Sequence, residues 1–124
     1  MPVALAIALG GSLGALARYG VMEYVERRLV SVFPWDTFAV NITGCFLAGL
    51  IVATLVNGHE TPAWLRLGLV VGFLGAYTTF STFGQDLYDL TVGAQYVEAV
   101  ATAVASVGLG LLAVALGTIA GRAL

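Results

Sequence analysis

The stretch Gly72-Phe73-Leu74-Gly75-Ala76-Tyr77-Thr78-Thr79-Phe80-Ser81-Thr82-Phe83-Gly84 lies inside an uncharged run from Leu67 to Gln85. Its thirteen residues include three threonines, one serine and three glycines, a composition that makes a poor continuous helix. An apolar run of this length is long enough to cross a bilayer. In lipid, non-helical backbone is tolerated only where it lines a cavity or is buried in protein. The stretch therefore predicts a membrane-spanning helix with a break near its centre. Carbonyls freed at such a break are hard oxygen ligands suited to a small cation. A kinked span whose hydroxyls bond back to their own helix is the competing reading.

The rest of the chain places this span in a bundle of four. The 124 residues are 60% hydrophobic and 10% charged, where a soluble domain carries about 25% charged residues. A small soluble fold leaves too much of its surface in water to hide that much apolar side chain. Four segments are long enough to span, at about 3–22, 37–56, 67–85 and 93–120. The fold class is accordingly all-α integral membrane, a single membrane domain over 1–124, with connectors too short for a soluble domain. Trp35 and Trp64 flank spans two and three, where aromatic rings favour the headgroup boundary. Glu-Tyr-Val-Glu-Arg-Arg at 23–28 is able to carry the first helix into the interface before Pro34 breaks it. The run Val3–Ala17 resembles a signal core in length, but no positive charge precedes it and no clear cleavage region follows, so it is read as the first span.

Charge and cysteine usage exclude several classes. The five basic residues are all arginine and are scattered, which leaves no basic patch for nucleic acid. Cys45 stands alone, so neither an internal disulfide nor a multi-cysteine metal site can form. His59, beside Asn57, Gly58 and Glu60, reads as a solvated loop histidine. An even number of spans puts Arg66 and Arg122 on one side, and Arg27 and Arg28 on the other, with Arg18 approaching the latter. So even a tally leaves the positive-inside rule little to act on, which favours insertion in both orientations and an antiparallel dimer. The pairs Gly10/Gly14, Gly68/Gly72 and Gly117/Gly121 allow close helix approach, within one subunit or between two.

Spans two to four have no ionisable residue in their central stretches, and Arg18 and Glu98 stand near span ends. A proton-coupled transporter needs such a group at membrane depth. A passive path lined by neutral polar groups is favoured instead. Asn41 offers an amide that can donate to an anion, or can equally make an interhelical hydrogen bond. Phe80 and Phe83, three apart, share one helix face. They read as packing, or as two rings whose positive edges attract an anion weakly.

Three motifs together resemble the Fluc (CrcB) family of fluoride channels. They are Gly10-Gly11-Ser12-Leu13-Gly14-Ala15-Leu16-Ala17-Arg18-Tyr19, Val40-Asn41-Ile42-Thr43-Gly44-Cys45-Phe46 and Gly72 to Phe83, so the resemblance spans the full length. It implies a dual-topology antiparallel homodimer in the prokaryotic plasma or inner membrane, with two narrow fluoride pathways that export fluoride passively from the cytoplasm and confer fluoride resistance. Along each path it implies Asn41, Phe80, Ser81, Thr82, Phe83 and Ser106. It implies Arg18 in an anion vestibule, where positive charge raises local anion concentration. It also implies backbone carbonyls of Gly75 and Thr78 around a structural sodium ion at the dimer centre, with no organic cofactor. Fluoride, sodium, membrane lipid and a second copy are the expected partners.

Two positions depart from the family pattern. Asp36 stands where a glycine is common, and Thr102 where an aromatic residue is frequent, which puts the span-four side of the ion path in question. The rival readings fit less well. A small multidrug exporter needs a carboxylate in its first span, and this first span has none. A non-conducting packing subunit leaves the Phe-Ser-Thr-Phe arrangement unexplained. An enzyme would need a nucleophile, base and orienting group, which cannot be placed.

Overall fold

The computed structural model describes residues 1–57 and 61–124, so the reading of His59 lies outside the described residues. Everything regular among them is helical. Helix α1 (Val3–Arg28) and helix α2 (Trp35–Asn57) are followed by a composite third span. That span consists of α3 (Ala63–Leu67), a π-helical stretch (Gly68–Leu74), α4 (Gly75–Tyr77) and α5 (Phe80–Val92). Helix α6 (Tyr96–Ala123) closes the chain. Four segments, Val3–Arg28, Trp35–Leu55, Ala63–Val92 and Tyr96–Ala123, are long and apolar enough to cross a membrane.

The helices outrun the spans expected from hydropathy. Helix α1 takes in all of Glu23 to Arg28 and ends there, ahead of Pro34. Glu23 pairs with Arg27 one turn on, and Arg28 lies 4.9 Å from the centre of the Tyr24 ring. These local partners carry the helix past its apolar part. Pro34 begins the next helix rather than ending the last, because its carbonyl accepts from Phe38 N–H at 3.0 Å. Phe33, Trp35 and Phe38 pack ring against ring at 4.5 to 5.8 Å at the start of α2, an aromatic cluster at the end of a span. Asp86 to Val92, which reads as a polar connector, is helical and belongs to α5. The turn to α6 is only Gly93 to Gln95, with Ala94 at φ 57.

Two helix pairs form the bundle, and glycine sets their spacing. A Cβ on Gly10 would meet Gly68 O, and one on Gly14 would meet Phe73 O, so α1 lies against the π-helical stretch backbone to backbone. A Cβ on Gly117 would meet Phe46 O, and one on Gly121 would meet Leu50 O at 2.5 Å, so α2 and α6 do the same. The glycine pairs thus serve packing within one chain. In each pair the contacts advance in the same direction along both helices, as alternate spans of an up-and-down bundle must. Few side chains are deeply buried, Val40, Leu74, Tyr77 and Leu90 among them. Along α6 the large apolar side chains Val100, Val104, Val107 and Leu111 are exposed, as expected where lipid or a second subunit is the solvent.

Candidate functional site

The third span breaks at Thr78 and Thr79, both extended, at φ −82, ψ 158 and φ −146, ψ 113. The local sequence explains the site of the break. Thr78 Oγ1 donates to Leu74 O at 3.0 Å, and Thr78 N–H donates to the same carbonyl at 3.1 Å, which closes the upper helix. Thr79 then caps the lower one. Its Oγ1 accepts from Thr82 N–H at 3.1 Å and donates to Thr82 Oγ1 at 2.9 Å. Two β-branched hydroxyl residues in succession thereby end one helix and begin the next.

Helix α2 holds the break in place. Asn41 Nδ2 donates to Thr79 O at 3.0 Å, while Thr79 N–H donates to Asn41 Oδ1 at 2.8 Å. An unbroken helix would return Thr79 N–H to Gly75 O, so the clamp by Asn41 releases the Gly75 carbonyl, and Gly75 lies exposed. Two residues further along α2, Thr43 Oγ1 and Tyr77 Oη are 2.7 Å apart in a hydrogen bond. The Tyr77 ring is buried and stacks on Phe73 at 5.8 Å. Gly44 completes the cradle, because a Cβ there would collide with Thr78 Cγ2. From the other side Arg18 Nη1 donates to Thr78 O at 3.3 Å.

Beyond the break, Phe80 and Phe83 have ring centroids 5.8 Å apart and planes inclined at 45°. Phe83 is half-buried, whereas Phe80 is 85% exposed, the most exposed aromatic among the described residues. Ser81 Oγ is 3.4 Å from Thr79 Oγ1. The structure therefore brings together Asn41, Ser81 and Thr82 around Thr79, with Phe80 and Phe83 on the same short helix. Ser106 stands half-buried on α6 and joins none of these hydrogen bonds. Arg18 lines a cavity of about 500 Å³ together with Glu23, Glu26 and Asp36. Its positive charge thus faces three carboxylates, one of them paired with Arg27.

Sequence reasoning missed Thr79, the residue on which the hydrogen bonds converge, and Asp86. Among the described residues, Thr37 Oγ1, Asp86 Oδ2 and Thr102 Oγ1 are buried atoms with no hydrogen-bond partner. Asp86 stands three residues after Phe83 on the same helix, and that spacing was the available signal.

The arrangement has a definite electrostatic sense. The carbonyl end of the upper half-helix and the amide end of α5 meet inside the membrane-spanning segment, one negative and one positive. Hydroxyls of Ser81 and Thr82 and one remaining N–H of Asn41 are neutral donors at the positive end. Among the described residues no group of three or more metal-ligating side chains occurs.

Residues 5–118 match the family described as CrcB-like protein, Camphor Resistance (CrcB). The chain belongs to the CrcB family. A relative from Acidobacterium capsulatum, named as a fluoride-specific ion channel, is 48% identical over 118 residues, covering 94% of this chain and 93% of its own. Relatives of the same name from Pelobacter propionicus and Geobacter sulfurreducens are 45% and 40% identical. The first alignment covers 100% of this chain and 96% of the relative; the second covers 100% of both. The CrcB relatives are thus named as channels, not enzymes, and this member is a multi-pass membrane protein by its four spanning helices.

Proposed function

We propose that this protein is a fluoride-selective passive channel, working as an antiparallel homodimer of oppositely inserted copies with two narrow pathways. The observation that carries the reading is the clamped break, Asn41 on Thr79, with the Phe80 and Phe83 rings directly after it. Fluoride is small and strongly hydrated, so a pore must replace its lost water with many donors. The Asn41 amide, the Ser81 and Thr82 hydroxyls and the ring edges of Phe80 and Phe83 supply them without a buried cation that would hold the ion. Ser106 supplies a hydroxyl from α6. The relatives' name supports fluoride as the ion.

What one chain leaves bare supports the dimer. Phe80 projects almost fully exposed from the middle of a span, and the released Gly75 carbonyl lies on an exposed face. A second copy related by an in-plane two-fold axis would cover both and bring two sets of Gly75 and Thr78 carbonyls together. The donor set fits a monovalent hard cation: Gly75 O is freed from helix bonding, and Thr78 O carries only one long hydrogen bond from Arg18. When bound, such a sodium ion would supply a fixed positive charge that joins the two breaks.

Hydrogen fluoride crosses membranes neutral and dissociates in a less acidic cytoplasm. A passive fluoride path lets the negative-inside potential drive the anion out, which lowers its toxicity without ATP or proton coupling. The test is efflux from liposomes that contain the purified protein, read with fluoride and chloride electrodes in parallel. Fast fluoride loss that requires a potassium ionophore, with little chloride loss, is expected. Intact dimers that release no fluoride would overturn the proposal.

A further inference from the structure

We propose that Arg18 competes with the monovalent cation for the Thr78 carbonyl, and so sets how much of that cation the two subunits need to stay together. The inference rests on the reading of a cation held by Gly75 and Thr78 carbonyls at the dimer centre.

In the single chain, Arg18 Nη1 already donates to Thr78 O across 60 residues of sequence. The break exposes that oxygen, because Thr78 and Thr79 are both extended and Thr82 N–H, which a continuous helix would return to Thr78 O, goes to Thr79 Oγ1, and a guanidinium is the cationic partner that the fold itself supplies. The bond is long, at 3.3 Å, and the side chain is only half-buried, so the contact is readily exchanged. The backbone of Arg18 cannot follow the side chain. Gly10 and Gly14 press α1 against the π-helical stretch backbone to backbone, so only the guanidinium moves.

Somewhere to go is also present. The cavity beside Arg18 is lined by Glu23, Glu26 and Asp36. Glu23 is held by Arg27, the one ion pair among the described residues, which leaves Glu26 and Asp36 to receive the displaced guanidinium. Two positive charges sharing one carbonyl at low dielectric repel strongly. Arg18 therefore either holds Thr78 O or turns toward these carboxylates. In a chain without its partner the arginine caps the carbonyl; in the dimer it yields to the cation.

The experiment uses the full chain in detergent micelles, with N-methylglucamine replaced by sodium at constant ionic strength. Dimer fraction by analytical ultracentrifugation and the thermal midpoint are both followed against sodium. Arg18→Gln is expected to lower the half-saturating sodium concentration about tenfold. Arg18→Lys keeps the charge but loses the guanidinium fork, and is expected to shift it in the same direction by less. A sodium dependence that neither variant moves leaves the cation reading standing and overturns the competition. A shift in Arg18→Gln with none in Arg18→Lys overturns it too, because charge at a distance then accounts for the effect. If the unmodified protein shows no sodium dependence at all, the cation reading itself falls, and this inference with it.

Discussion

Asn41 holds Thr79 by both of its backbone groups, with Nδ2 donating to the carbonyl at 3.0 Å and Oδ1 accepting from the N–H at 2.8 Å. A side-chain amide here does the work of a missing turn of helix. Asn41→Asp keeps the acceptor but replaces the donor by an oxygen facing Thr79 O. The expected cost is about 1–3 kcal/mol for each buried polar group left unsatisfied. On the proposed path the same amide would offer its second N–H to the ion, so fluoride efflux should fall at least about tenfold. Thermal unfolding in micelles and liposome efflux check the two effects separately; an Asn41→Asp protein that keeps both its midpoint and its rate would show that the clamp is dispensable.

A Cβ on Gly44 would collide with Thr78 Cγ2 and come within 3.3 Å of Tyr77 Cδ1, so Gly44→Ala must push the break away from α2. The expected loss is about 1–3 kcal/mol, the usual range for overpacking. The space that a Cβ on Gly108 would enter is open to 4 Å, and Gly108→Ala should change the thermal midpoint little or raise it. Comparing the two midpoints checks whether the break depends on a backbone-width gap at one glycine.

Much of this is legible in the sequence itself. Four apolar runs without central charges dictate four spanning helices, and the cluster of threonine, serine and glycine at 72–84 marks the break. The exact place of the break was harder to read. Gly75 attracts attention by its low helix propensity, yet it is helical, and the chain opens at Thr78 and Thr79 because their hydroxyls and Asn41 replace the lost backbone bonds. That outcome depends on a partner 38 residues away, which local propensity does not contain. Asp86 was hidden for the opposite reason, since a carboxylate just past an apolar run, with Asp89 three residues on, looks like a connector residue until the helix is seen to run on to Val92.

Tyr77 Oη and Thr43 Oγ1 form the second tie between α2 and the break, at 2.7 Å. Tyr77→Phe and Thr43→Val should each lower stability by about 1 kcal/mol. Combined, they should cost clearly less than the sum, because each removes the same bond. A double-mutant cycle on thermal unfolding measures this. Strict additivity would mean that the two hydroxyls act independently.

Phe80 and Phe83 let stability and conduction be tested apart. Phe80 is 85% exposed in the single chain, so Phe80→Leu removes little packing from the protomer itself. If the two ring edges help to hold the anion, the double change to leucine should slow fluoride efflux about tenfold. Chloride leak should remain low. Unchanged fluoride efflux from assembled dimers carrying both replacements would remove these rings from the path.

Thr102 is 1% exposed, and its hydroxyl has no hydrogen-bond partner. It lies on α6, which packs along α2. A buried hydroxyl without a partner lowers stability, whereas a methyl of nearly the same size does not. Thr102→Val should therefore leave stability unchanged or raise it by about 1 kcal/mol, visible as a higher thermal midpoint. Fluoride efflux decides what the hydroxyl is for. An unchanged rate with a higher midpoint is the expected result and marks Thr102 as a filler of the space. A rate that falls while the protein becomes more stable would instead make the orphaned hydroxyl a ligand of the passing ion.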